Sequence, residues 1–215
     1  MTFIIAIQLN DSIIVTSDRK EIVINETTAI QFKNKPICKI NAWDKGIITG
    51  TGELTVIQRS IKLFKTVAQS DLTKLPICLD ISRKIRELEI GIGYFQVKNT
   101  KLLCSCYSEN GAQLYKIERF SSDQPYELIA IEAMDITIWL FHPNIEAISS
   151  DLQNLYTDLK DYSVFSNKTE WVNYYINQLA SIYKKQNRID PLMSQSFDIF
   201  FQNKNEYIFG HVANT

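Results

Sequence analysis

Two short segments at opposite ends of the chain, TFIIAI at residues 2–7 and SFDIFF at residues 196–201, are apolar at nearly every position. Successive side chains of a strand point to opposite faces, so neither segment has a face to offer to water. A sheet built on such strands must be covered on both sides. This requirement restricts the fold more than any other feature of the sequence.

The rest of the chain supplies the covering material. TFIIAIQ turns through LNDS into IIVTSD, a β-hairpin with turn-favouring Asn and Asp between β-branched runs. After a polar stretch over residues 19–34, ICKIN and KGIITG read as two more strands joined by AWD. The run GELTVIQRSIKLFKTVA then changes to a helical period, with Leu54, Ile57, Ile61, Leu63 and Val67 forming an apolar stripe. ICLDISRKIRELE repeats the pattern through Ile77, Ile81, Ile85 and Leu88. Strands return in KLLCSCYS, AQLYKIERF and YELIAIEA, the first two joined by an Asn-Gly loop. NIEAISSDLQNLYTDLKDY and TEWVNYYINQLASIYKKQN suit helices, and SFDIFFQ with EYIFGHV closes the chain as a strand pair. Strands and helices come in runs rather than in strict alternation, which predicts antiparallel sheets with segregated helices. The expected fold is α+β: a four-layer α-β-β-α sandwich of two antiparallel sheets flanked by helix pairs, as one domain over residues 1–215.

Composition excludes several kinds of partner. A formal net charge of −1 over 215 residues gives no electrostatic reason to bind nucleic acid or an anionic membrane. No apolar run reaches the roughly 20 residues that span a bilayer, and no basic stretch precedes TFIIAI as a secretion signal would require. The four cysteines, Cys38, Cys78, Cys104 and Cys106, lack metal-knuckle spacing, and His142 and His211 are the only histidines. Buried thiols in a reducing, cytoplasmic protein without metal or cofactor are the expectation.

Thr2 raises a chemical question. A threonine with a free α-amino group carries its own general base beside its nucleophile. The segments around it, the strand opened by Thr2, the hairpin into IIVTSDR, KPICKINAWDKGIITGTGEL, and the closing PLMSQSFDIFFQNKNEYIFGHV, resemble the N-terminal-nucleophile hydrolases of the proteasome β-subunit type. The likeness follows element order along nearly the whole chain and is motif-specific over about the first sixty residues.

The resemblance implies that Thr2, freed of Met1, is the nucleophile and that Asp18 orders the site beneath it. It implies that the backbone N–H of Gly50 donates to the oxyanion. The family's lysine falls on Pro36 when aligned through Ile37 and Ile40, so Lys35, with Lys33 as substitute, is the expected cation. It further implies a peptide or small amide as substrate, and self-association as a homo-oligomer. The alternative is a catalytically degenerate copy of the fold that serves as a structural or assembly subunit. Duller roles remain for individual residues: Asp18 as a strand terminator with Arg19 as surface partner, Gly50 and Gly52 as strand end and helix cap, and Asp198 facing a buried partner or an interface. Trp171, Tyr174, Tyr175 and Ile176 suit a helix core or a subunit contact, and His211 suits the core or an interface.

Overall fold

The computed structural model describes residues 2–24, 30–32, 36–109, 111–140 and 144–214. In chain order the elements are β1 (Ile4–Gln8), β2 (Ser12–Asp18), β3 (Ile22–Ile24), β4 (Ile30–Phe32), β5 (Asn41–Trp43), β6 (Gly46–Thr51), α1 (Leu54–Thr66), α2 (Leu75–Ile90) and α3 (Phe95–Lys98). They continue with β7 (Lys101–Ser108), β8 (Gly111–Glu118), β9 (Glu127–Ala130), β10 (Asp135–Trp139), α4 (Ser149–Thr157), α5 (Lys168–Ile189), β11 (Phe197–Asn203) and β12 (Tyr207–Val212). They gather into two compact units, residues 1–39 with 132–215, and residues 40–131.

The first unit holds a five-stranded antiparallel sheet in the order β10-β1-β2-β11-β12, together with the small β3–β4 pair. Phe3, Ile5, Ile7, Phe197, Ile199 and Phe201 share a core with Leu152 and Leu155 of α4 and with Trp171, Tyr175, Leu179 and Tyr183 of α5. Helix α5 begins cleanly because the Asn167 side chain accepts the Glu170 N–H. Ile4, Ala6, Ile13 and Val15, on the opposite face of the strands, are buried as well. The uniformly apolar runs therefore have no wet face, as their sequence required.

The second unit repeats the plan, with sheet order β5-β6-β7-β8-β9, also antiparallel. Trp43, Ile48, Leu102, Cys104 and Ile117 meet Val56, Ile57, Ile61 and Phe64 of α1 and Leu75, Cys78 and Leu79 of α2. Glu53 caps α1 by accepting the Val56 N–H, and Pro76 stands in the first turn of α2, where its missing N–H leaves no hydrogen bond unmade. The class is the expected α+β, with two antiparallel sheets that each carry helices.

Three local expectations are corrected. ICKIN is not a strand: only its last residue enters β5, and Ile37–Ile40 form none. YELIAIEA holds the expected strand, β9, but DITIW, to which no element is assigned from sequence, is β10, paired with β1 in the other sheet. Met134 at φ 60 bends the backbone between them through a region uncommon for a residue with a Cβ. The helical stripes were misplaced too. The α1 residues that turn inward are Val56, Ile57, Ser60, Ile61 and Phe64, whereas Leu54 and Val67 face out. In α2 the whole stripe Ile77, Ile81, Ile85 and Leu88 is exposed, and Leu75, Cys78, Leu79, Ser82 and Arg83 take the inner face.

Candidate active site

Thr2 lies two residues before the start of β1 and is buried. Across the hairpin Asp18 ends β2 opposite Phe3, and the two backbones are tied by the Asp18 N–H donating to the Phe3 carbonyl at 3.0 Å. The Asp18 carboxylate turns back to the same residue, its Oδ1 accepting the Phe3 N–H at 2.8 Å. Its other oxygen accepts the N–H groups of Lys20 at 3.0 Å and Ser194 at 3.4 Å. A strand end with a free carboxylate thus serves as an acceptor for three backbone donors around Thr2.

The cation on this carboxylate is Lys39, with Nζ 2.7 Å from Asp18 Oδ1 and side-chain exposures of 8% for Lys39 and 1% for Asp18. Removal of both charges from water is costly, and close pairing with further hydrogen bonds offsets that cost. Lys39 arrives there because the segment before β5 does not pair as a strand. The Ile37 N–H donates instead to the Arg19 carbonyl at 3.0 Å, laying residues 36–39 beside the end of β2. The strand alignment that set Pro36 in the lysine's place fails for that reason, and Pro36 is simply exposed. Lys33 and Lys35, the expected cations, lie outside the described residues, as does Met1.

The expectation that Arg19 pairs with Asp18 is also corrected. Arg19 Nε stands 3.4 Å from Oδ1 of Asp198, and His211 Nδ1 stands 3.3 Å from the same oxygen. Asp198 lies on β11 opposite Ser17 and, on its other side, opposite His211 of β12. Asp198 therefore does face a partner, and His211 sits on the edge strand of the sheet. His142 lies outside the described residues.

Two contributors escaped the sequence reading. Ser194 both donates its N–H to Asp18 and accepts the Arg19 N–H on Oγ at 2.9 Å, while its own hydroxyl donates to the Ser196 carbonyl at 2.6 Å. Tyr183 of α5 brings its hydroxyl 3.1 Å from the Phe3 carbonyl and 3.0 Å from Thr16 Oγ1, and burial pushes its phenol well up, holding it neutral. A serine in a loop and a tyrosine in a helix heptad carry no local mark of such use. Trp171 and Tyr175 are helix core as expected.

Gly50 belongs to the second unit, in β6. A Cβ there would lie 2.6 Å from the Lys101 carbonyl and 2.7 Å from Leu102 Cδ2, so packing within its own sheet already requires a glycine. Gly52, at φ 114, opens the approach to the α1 cap. Among the described residues no group of three or more His, Cys, Asp or Glu could hold a metal ion, and no helix is long and apolar enough to cross a membrane.

An α+β fold with two helix-bearing antiparallel sheets is the class these units define. Solved structures with this fold include the Gly-1 mutant of Anbu from Hyphomicrobium sp. strain MC1, with TM-score 0.65 and 11% identity, covering 99% of this chain and 88% of that one. The Anbu complex from Pseudomonas aeruginosa, described as a helical assembly, gives TM-score 0.67 at 11% identity over 98% and 86% of the two chains. Anbu from Yersinia bercovieri, described as an ancestral beta-subunit, gives 0.64 at 11% over 96% and 86%. No protein-family model matches the chain, and no curated protein does. The assignment to N-terminal-nucleophile hydrolases of the proteasome β-subunit type is thereby corrected: at this identity the chain shares a fold with Anbu, and membership of that family is not carried by its sequence.

Proposed function

We propose that the chain is an N-terminal-threonine hydrolase that cleaves the amide bond of a peptide or small amide once Met1 has been removed. Thr2 Oγ1 attacks the carbonyl carbon as its proton passes to the Thr2 α-amine. The tetrahedral intermediate breaks its C–N bond, the departing amine takes that proton, and an ester remains on Thr2. Water, deprotonated by the same amine, then releases the acid and restores the threonine. An unperturbed α-amine titrates near 7.7–8.0, and a nearby ammonium favours its neutral, basic form.

The observation that carries this reading is the buried Lys39–Asp18 pair, joined through the Phe3 N–H to the residue next to Thr2. A solvated strand end needs neither a buried lysine nor four donors on one carboxylate. We infer in addition that the chain self-associates, a property for which the helical assembly of the Pseudomonas aeruginosa Anbu is the supporting parallel.

Intact mass and labelling test the chemistry. The expected results are loss of one methionine residue, about 131 Da, and a covalent adduct with a β-lactone or epoxyketone that Thr2→Ala abolishes. Retention of Met1 would leave an amide nitrogen of no basicity, and the assembly-subunit reading would replace this one. So would the absence of any adduct on a Met1-free sample.

A further inference from the structure

Tyr183 of α5 is wholly buried, its ring set against two phenylalanines of the sheet. It stacks on Phe197 with 4.3 Å between centroids and 21° between planes, and leans on Phe3 at 4.6 Å and 43°. A phenylalanine would fill the same space, so packing accounts for the ring and not for the hydroxyl. Burying a hydroxyl costs free energy unless it is bonded, and this one lies 3.1 Å from the Phe3 carbonyl and 3.0 Å from Thr16 Oγ1. The Thr16 hydroxyl already directs its proton to the Ile5 carbonyl at 3.1 Å, so Tyr183 is the donor in this group and the Phe3 carbonyl accepts.

The bond falls on the residue that follows Thr2. The Phe3 carbonyl also accepts the Asp18 N–H at 3.0 Å, so both of its lone pairs are engaged, one from the neighbouring strand and one from the helix. The Phe3 N–H, which belongs to the Thr2–Phe3 peptide unit, donates to Asp18 Oδ1 at 2.8 Å. Peptide units are planar, so holding the N–H of one unit and the carbonyl of the next fixes the two planes from which Thr2 projects. Asp18 holds them from within the sheet, and Tyr183 adds a restraint from the helix layer. Tyr175, about two turns earlier on α5, is a buried tyrosine with a different task. Its hydroxyl donates to the Lys160 carbonyl at 2.7 Å and accepts the Lys160 N–H at 2.8 Å, tying down the connection between α4 and α5 rather than β1. We propose that Tyr183 is a positioning residue, whose hydroxyl fixes the Phe3–Ile4 peptide plane and thereby the placing of Thr2 for attack. The proposal rests on the reading of Thr2 as nucleophile. A misplacement of about 1 Å can cost on the order of 100-fold in rate, so a bond to the adjoining residue has the leverage required.

Inactivation kinetics of the full-length, Met1-free protein with a β-lactone test it. Tyr183→Phe keeps the ring and is expected to lower the maximal inactivation rate at least about tenfold, with the half-saturating concentration within about twofold of wild type. Every molecule should still be labelled at the end point, and the pH midpoint of the reaction should stay in place, because the bond sets position and not charge. Tyr175→Phe is expected to react at the wild-type rate. Both variants should melt about 2–4 °C below wild type, as the loss of one hydrogen bond requires, so stability does not separate them. A Tyr183→Phe protein that reacts like wild type, or a Tyr175→Phe protein slowed to the same degree, would overturn the positioning role and leave the threonine chemistry standing. Slowing that comes instead as incomplete labelling, the mark of a misfolded fraction, would overturn it as well. A wild type that forms no adduct would overturn the chemistry at Thr2 and this inference with it.

Discussion

Asp18 and Asp198 are buried carboxylates on neighbouring strands, β2 and β11, one residue out of register with each other, since Asp198 lies opposite Ser17. Their surroundings differ sharply. Asp18 has both oxygens occupied, by a lysine at 2.7 Å and by the N–H groups of Phe3, Lys20 and Ser194. Asp198 presents one oxygen to Arg19 and His211 at 3.3–3.4 Å, and its other oxygen, like the Arg19 Nε, finds no hydrogen-bond partner among the described residues. Charge alone does not distinguish them; the number and distance of donors does. A carboxylate fully enclosed by fixed donors is held in one geometry, as a catalytic site needs. One held at long range by two partly exposed side chains is free to rearrange.

Breaking the tighter arrangement should have the largest effect. Lys39→Met leaves the Asp18 carboxylate buried and stripped of its only described cation, which costs about 3 kcal/mol of stability, near the lower end for a broken buried pair because the backbone donors remain. If Thr2 acts as proposed, turnover of an amide substrate should fall by at least 100-fold in the same variant. Denaturant unfolding and rate measurements read the two separately. A variant as stable as wild type would remove the contrast with Asp198.

Asp198→Asn should cost less than about 1 kcal/mol, because Arg19 and His211 are partly exposed and return to water without a partner. The difference between the two variants, about 2 kcal/mol or more, is the measure of the contrast. An Asp198→Asn cost equal to that of Lys39→Met would show that the long contacts are as strong as the short ones.

The sequence carried the sheets far better than the site. Apolar runs such as TFIIAI state that a strand is buried on both faces, and alternating runs of strands and helices state the class. The helices were recognised by period, yet their faces were assigned wrongly because α1 and α2 each bear more than one apolar row. Periodicity reports that a stripe exists and not which neighbour receives it, so Ile77, Ile81, Ile85 and Leu88 read as core and lie outside. At the site, Asp18 was legible because it ends a strand beside Thr2. Lys39 was not, because a strand was assumed through ICKIN, and the backbone bond from Ile37 to Arg19 that replaces it joins residues eighteen apart. Ser194 reaches Asp18 across 176 residues, a distance that only the closed sheet makes short.

A third carboxylate, less buried than either, should respond least. Asp11, at the other end of β2 in the hairpin turn, accepts the backbone N–H groups of Tyr162 and Ser163 at 2.9 Å each and the Ser12 hydroxyl at 2.8 Å. Partial burial by itself would raise its pKa, but the bonds from Ser163 and Tyr162 outweigh that and hold it below the model-compound value of 3.8. A depressed carboxyl pKa stabilises the fold at pH values above the unfolded pKa, and the contribution disappears as pH falls through the folded pKa. Asp11→Asn should therefore lower stability by about 1 kcal/mol at pH 7 and by progressively less below pH 4, with the two proteins converging near pH 2. Parallel unfolding curves across that range would mean that Asp11 is held by shape rather than charge.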